Sequence, residues 1–266
     1  MTFKILTDST ADLPESWIQE HDVQVLGLTI QLDGQTYETV GPDKLTSEQL
    51  LAKMESGSKP TTSQINVGQF EDVFRQYAQE GTAVLYVAFA SALSGTYQSA
   101  VMAREMVLED YPEAIITILD TKAASMGEGL LVMKAAEARA AGQSLEQTAD
   151  LLQSLVPRVQ TYFLVDDLNH LMRGGRISKA AALMGSLVNI KPIIAVTADG
   201  SLDSVAKVRG KKKAQAEVVR MTLETISDPR VVVAYAGEKE VAENVKEQLL
   251  ASGQVTEVLI LPLGPV

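Results

Sequence analysis

Leu85-Tyr-Val-Ala-Phe-Ala-Ser-Ala-Leu-Ser-Gly-Thr-Tyr-Gln-Ser-Ala100 is the stretch on which the fold turns. The apolar run from Ala83 to Ala90 has the length of a buried strand. A short loop with Ser91, Ser94, Gly95 and Thr96 follows. Beyond it Ala100, Ala103 and Val107, flanked by Val101 and Leu108, recur at three- and four-residue spacing, which is the signature of a helix. Strand, tight loop and helix therefore succeed one another, with the helix starting near Thr96. A helix start offers free backbone N–H groups and the positive end of the macrodipole, a setting suited to a carboxylate or phosphate. The hydroxyls of Ser94 and Thr96 either bind such an anion or only cap the helix, and both readings fit the residues.

The same alternation extends outward. Phe3–Thr7 reads as a strand, and Asp12 with Glu15 has the spacing of a capping box for the helix after it. Val23–Ile30 is apolar, and Asp33-Gly34 signals a hairpin. Thr46/Gln49, Asn66/Gln69 and Ser144/Gln147 are further capping boxes, and Ala114–Leu119 is a strand before an alanine-rich helix from Ala124 to Ala141. Ser58–Gln64 reads as a polar loop. Buried strands alternating with helices imply a mostly parallel sheet covered on both faces. Ligands gather at the C-terminal strand ends of such sheets, where Asp8–Asp12, Ser91–Thr96 and Asp120-Thr121 would lie. The second half differs. Asp166-Asp167 and Ser178 read as helix caps, and Ile190–Thr197 and Ser201–Val208 as strands joined by the hairpin signal Asp199-Gly200. The fold class is therefore α/β in two domains, residues 1–142 with the mostly parallel sheet and residues 143–266 with a mixed or antiparallel one.

Composition narrows the chemistry. The chain has 266 residues, a formal net charge of −11 and no cysteine. That charge argues against nucleic acid as a partner. Thiolate nucleophiles, disulfides and zinc–thiolate sites are excluded. The N-terminus lacks a signal-peptide pattern and no apolar run reaches the ~20 residues of a membrane span, so a cytoplasmic protein is expected. Ser94 sits where a nucleophile elbow would, but Ala92 and Thr96 break the Gly-x-Ser-x-Gly pattern, and only His21 and His170 could serve as an imidazole base. Asp166, Asp167 and His170 are weak candidates for a metal, and no glycine-rich nucleotide loop follows any strand. Arg173-Gly-Gly-Arg176 is either a helix C-cap or a grip on an anion. Lys207, Arg209 and Lys211–Lys213 form either a solvated face or a docking surface for a phosphate-bearing partner.

Asp8-Ser-Thr-Ala-Asp-Leu-Pro14, Pro60-Thr-Thr-Ser-Gln64, Leu93-Ser-Gly-Thr-Tyr-Gln-Ser-Ala100, Gly174-Gly-Arg-Ile177 and Lys191-Pro192 occur in this order. In this the whole chain resembles the DegV family. The resemblance implies two α/β domains with a tunnel, between or within them, for one long-chain fatty acid. It further implies a non-catalytic acyl carrier that presents the carboxyl group to a separate ATP-dependent fatty acid kinase, which makes acyl phosphate. Carried over by motif, Thr62 and Ser94 become the carboxylate ligands, with Ser63, Gly95 and Thr96 beside them. Arg173, Arg176 and Arg209 become basic positions near the head group or the kinase. A monomer with no cofactor beyond the fatty acid, in transient contact with a membrane, is expected. Family members continue past Gly-Pro-Val into a segment with a histidine that contacts the carboxyl region. Here the chain stops at Gly264-Pro-Val266, so either the sequence is truncated, the favoured expectation, or the site works without that imidazole. Two rivals stand beside the carrier: a small-molecule enzyme using Ser94, Asp8 or Asp120, and a lipid-responsive regulator.

Overall fold

A computed structural model describes residues 3–165, 168–177 and 189–266. The chain divides into two units, residues 1–159 with 264–266, and residues 160–263. The first unit is built on a four-stranded parallel sheet in the order β2-β1-β6-β7, with β1 Lys4–Asp8, β2 Val23–Leu26, β6 Val84–Ala88 and β7 Ile116–Asp120. Every residue of β6 is buried, as a central parallel strand requires. Leu85 and Val87 face a core formed with Leu131, Val132 and Leu152, from α5 (Met126–Ala140) and α6 (Leu145–Leu155). Tyr86 and Ala88 face the opposite core, with Phe70 and Phe74 of α3 (Val67–Gln79) and Ala100 and Ala103 of α4 (Thr96–Asp110). The alternation follows from the two-residue period of a strand.

A small antiparallel sheet, β4-β3-β5, joins β3 Thr29–Leu32 to β4 Gln35–Glu38 through Asp33 and Gly34, both at positive φ (52° and 79°), as a type I′ turn requires. Its third strand, β5 Thr61–Ser63, lies inside the stretch expected to be a loop. Helices α2 (Ser47–Glu55), α3 and α6 begin with complete capping boxes from Thr46, Asn66 and Ser144, as their spacing indicated.

Two expectations need correction. Asp12 does not cap a helix. It stands in the left-handed region (φ 53°) after a single turn of 3-10 helix, and α1 (Glu15–Glu20) starts behind Pro14 with no side-chain cap. The first unit also runs past Gly142 to Val159, because α6 packs on the parallel sheet with Leu152 fully buried in its core.

In the second unit, β8 Tyr162–Leu164, β9 Ile190–Val196 and β10 Leu202–Arg209 form an antiparallel sheet, with Asp199-Gly200 at the β9–β10 hairpin. Hydrogen bonds from Thr197 and Ser201 hold the Asp199 carboxyl low, at about 2. A short α7 spans Asn169–Arg173 and α8 spans Lys211–Thr225. Strands β11 (Arg230–Tyr235) and β12 (Glu257–Pro262) pair in parallel around α9 (Lys239–Ala251). The caps read at Asp166-Asp167 and at Ser178 lie outside the described residues.

Candidate functional site

Two loops of the first unit meet at the start of α4. One is β5 with Gln64. Thr62 and Ser63 are exposed, and among the described residues their hydroxyls have no hydrogen-bond partner. The backbone of β5 pairs with β3, Thr62 opposite Ile30, while buried Ile65 fixes the chain on the other side. The second loop is 89–95. Ser94, half-buried, accepts from the Thr96 N–H at 3.2 Å, and its hydroxyl lies 2.9 Å from that of Thr96. Thr96 is fully buried, so it supports Ser94 from below. Gln64 joins the loops, its Nε2 donating to Ser99 Oγ at 2.9 Å. The site thus offers unpartnered hydroxyls beside a helix N-terminus, donors suited to an anion or a protonated carboxyl group.

The aspartates at the strand ends hold this platform in place. Asp8, fully buried, accepts from the Tyr86 hydroxyl (2.7 Å) and the Phe89 N–H (3.2 Å), fixing the exit of β6. Asp120 accepts from the Ser91 N–H and hydroxyl and from the Lys122 N–H. Both carboxyl groups are thus spent on N–H and hydroxyl groups of this loop and of its neighbours. His21 stacks on Trp17 at 4.2 Å between ring centroids and contacts the Trp17 carbonyl through Nδ1. Ser94 bonds to Thr96, and His21 is the C-cap of α1.

Sequence reasoning missed the group beneath the platform. Glu128, in the first turn of α5, is fully buried. It lies 2.9 Å from the Thr7 hydroxyl and 2.7 Å from that of Thr10, which in turn lies 2.6 Å from Asp8. Burial, then the charge of Asp8, pushes the Glu128 carboxyl well above the usual range, and burial likewise raises Asp8. The approach depends on Gly129, where a Cβ would come within 2.6 Å of the Ala11 carbonyl oxygen. The flanking Gly127 and Gly129 were the available signal.

Asp12 accepts from the Ser125 hydroxyl (2.6 Å) and from the Gly264 N–H (2.8 Å), tying the chain's last residues to the first unit. Desolvation of its carboxyl group pushes it up to about 7. A raised folded value means stability that is full below pH ~4 and lost as pH rises through 7. Asp12→Asn should therefore flatten the stability profile between pH 4 and 7. Urea unfolding across that range checks it, and an unchanged slope would count against a titrating Asp12.

In the second unit, Arg173, Arg176 and Arg209 are all exposed. Arg173 ends α7, and Gly175 (φ 73°) closes the helix as its left-handed cap, the Arg176 N–H reaching the Leu171 carbonyl. Arg176 also bonds through its guanidinium to the Gly174 carbonyl. Arg209 ends β10 opposite Ile190. Among the described residues, no three His, Asp or Glu side chains are grouped to hold a metal, and no helix is long and apolar enough to cross a membrane.

The family model described as uncharacterised proteins of the DegV family matches residues 2–266. The chain belongs to the DegV family. A DegV domain-containing protein of Streptococcus pyogenes serotype M1 is 54% identical over 266 residues, covering 100% of this chain and 93% of that protein. Among solved structures, a fatty-acid-binding DegV protein from Thermus thermophilus superposes with a TM-score of 0.88 at 34% identity, covering 100% of this chain and 94% of the other. A stearic acid-binding protein from Eubacterium ventriosum gives 0.89 at 28% identity, covering 98% and 92%. The α/β architecture, which combines parallel and antiparallel sheets, is thus that of the DegV family.

Proposed function

We propose that this DegV protein binds one long-chain fatty acid, anchors its carboxyl group on Thr62, Ser63 and Ser94, and presents it to an ATP-dependent fatty acid kinase. The observation that carries the reading is the pair of unpartnered hydroxyls on β5, joined through Gln64 to the N-terminus of α4. The fatty acids bound by the Thermus and Eubacterium relatives supply the class of ligand. The energetics allow it. About fifteen methylenes at ~0.8 kcal/mol each give roughly 12 kcal/mol of gross transfer energy, which leaves tight binding after association costs even with neutral hydroxyls as the anchor. Chemistry would then belong to the kinase, and the three exposed arginines are the natural contacts for its phosphate-bearing site.

Native mass spectrometry of gently purified protein should find one fatty acid per chain, and only apo mass, before and after added fatty acid, would sink the reading. Thr62→Ala and Ser94→Ala should release the acid faster. Arg173→Ala and Arg209→Ala should retain it while lowering acyl-phosphate formation when kinase and ATP are added. Four variants behaving alike would refute the division into anchor and docking surface.

A further inference from the structure

We infer that Gln64 is the positioning residue of this site, a clip that sets the β5 hydroxyls against the start of α4, and that residue 95 is glycine because of it. Gly95 has φ −72° and ψ 0°, a backbone open to any L-residue, so conformation does not require glycine there. Space does. A Cβ on Gly95 would stand 2.9 Å from both Cδ and Nε2 of Gln64 and in collision with its Oε1. The carboxamide lies directly over the Gly95 backbone and reaches past it to Ser99, one turn into α4 and 3% exposed. Among the described residues, Thr61–Ser63 are held by their backbone pairing to β3 on one side, and Ile65 is buried on the other. Between those anchors the Gln64–Ser99 hydrogen bond is what ties the strand to the helix. Leucine or methionine at 64 would fill the space but leave buried Ser99 without this donor.

The inference rests on the fatty-acid reading for its consequence, though not for its geometry. Two measurements separate them: backbone hydrogen exchange of residues 61–64 in the protein alone, and the release rate of stearic acid. Gln64→Ala and Ser99→Ala should each raise exchange in that segment and speed release about tenfold, the size of one hydrogen bond. The double variant should be no worse than either single one. Gly95→Ala should match them in the wild-type background, by displacing the carboxamide, and add nothing to Gln64→Ala, where the collision is gone. Residues that acted independently of one another would give additive losses. Unchanged exchange in Gln64→Ala, or additive effects of Gly95→Ala and Gln64→Ala, would overturn the clip. If exchange follows the expected pattern but the wild-type protein takes up no stearic acid, the clip stands and the fatty-acid reading falls.

Discussion

Replacing Glu128 by alanine should destabilise the first unit by about 3 kcal/mol, whereas Glu128→Gln should fold almost as well as wild type and better than it in alkali. The protons available to these groups decide it. The Thr7 hydroxyl lies 3.0 Å from the Val87 carbonyl and 2.9 Å from Glu128 Oε1. The Thr10 hydroxyl lies 2.6 Å from Asp8 and 2.7 Å from Glu128 Oε2. Two hydroxyls carry two protons for four contacts, so an ionised Glu128 leaves two unfilled. A proton on Glu128 fills a third. Among the described residues no cation bonds to either carboxyl group, and burial pushes Glu128 in the same direction. Glutamine keeps the shape and supplies a donor, while alanine leaves both threonines underbonded beside a cavity.

The folded value of Glu128 is raised above its ordinary one, so its contribution is full in acid and declines as pH rises toward that folded value. The difference in stability between Glu128→Gln and wild type should therefore grow with pH. Trp17, the only tryptophan, packs against the core of the first unit and reports its unfolding. Urea titrations at pH 5 and pH 8 followed by its fluorescence measure the difference. Glutamine as damaging as alanine, or a difference that does not change with pH, would refute a protonated Glu128.

How far the residues announced this arrangement depends on how local each cause is. The strand–loop–helix at 85–100 was legible because an eight-residue apolar run and a three-four spacing are both written within one window. The boxes at Thr46, Asn66 and Ser144 close over three residues, and Asp33-Gly34 sets its own turn. Strand β5 was not legible. Thr61-Thr-Ser63 has no apolar alternation, and its pairing comes from β3 thirty residues earlier. Asp12 carried the local signature of a cap, yet its partners Ser125 and Gly264 lie 113 and 252 residues away. Glu128 stands in an alanine-rich helix with no local signal of its burial beyond the flanking glycines, and that burial comes from the close approach at Gly129. Within the candidate site, residue types pointed to Ser94 and Thr96 and the family resemblance to Thr62 and Ser63, but only the fold gives Gln64 its place over Gly95.

On the fatty-acid reading proposed above, removing the ligand should lower the melting temperature by roughly 10 °C. A ligand held at a thousand times its dissociation constant stabilises the folded state by about 4 kcal/mol, and each kcal/mol shifts a domain of this size by about 2–4 °C. With the proposed anchor of neutral hydroxyls and backbone N–H groups, nearly all of that energy would come from the acyl chain. Stabilisation should therefore climb with chain length, from little with octanoic acid to the full shift with stearic acid, at up to ~0.8 kcal/mol per methylene. A carboxylate-specific enzyme site would behave oppositely, with short acids binding nearly as well as long ones. Melting the delipidated protein with a series of saturated acids, followed by Trp17 fluorescence and circular dichroism, separates the two. A shift independent of chain length would mean that the hydroxyls at 62, 63 and 94 serve some small carboxylate. The apolar share of the binding energy would then have no place in this protein.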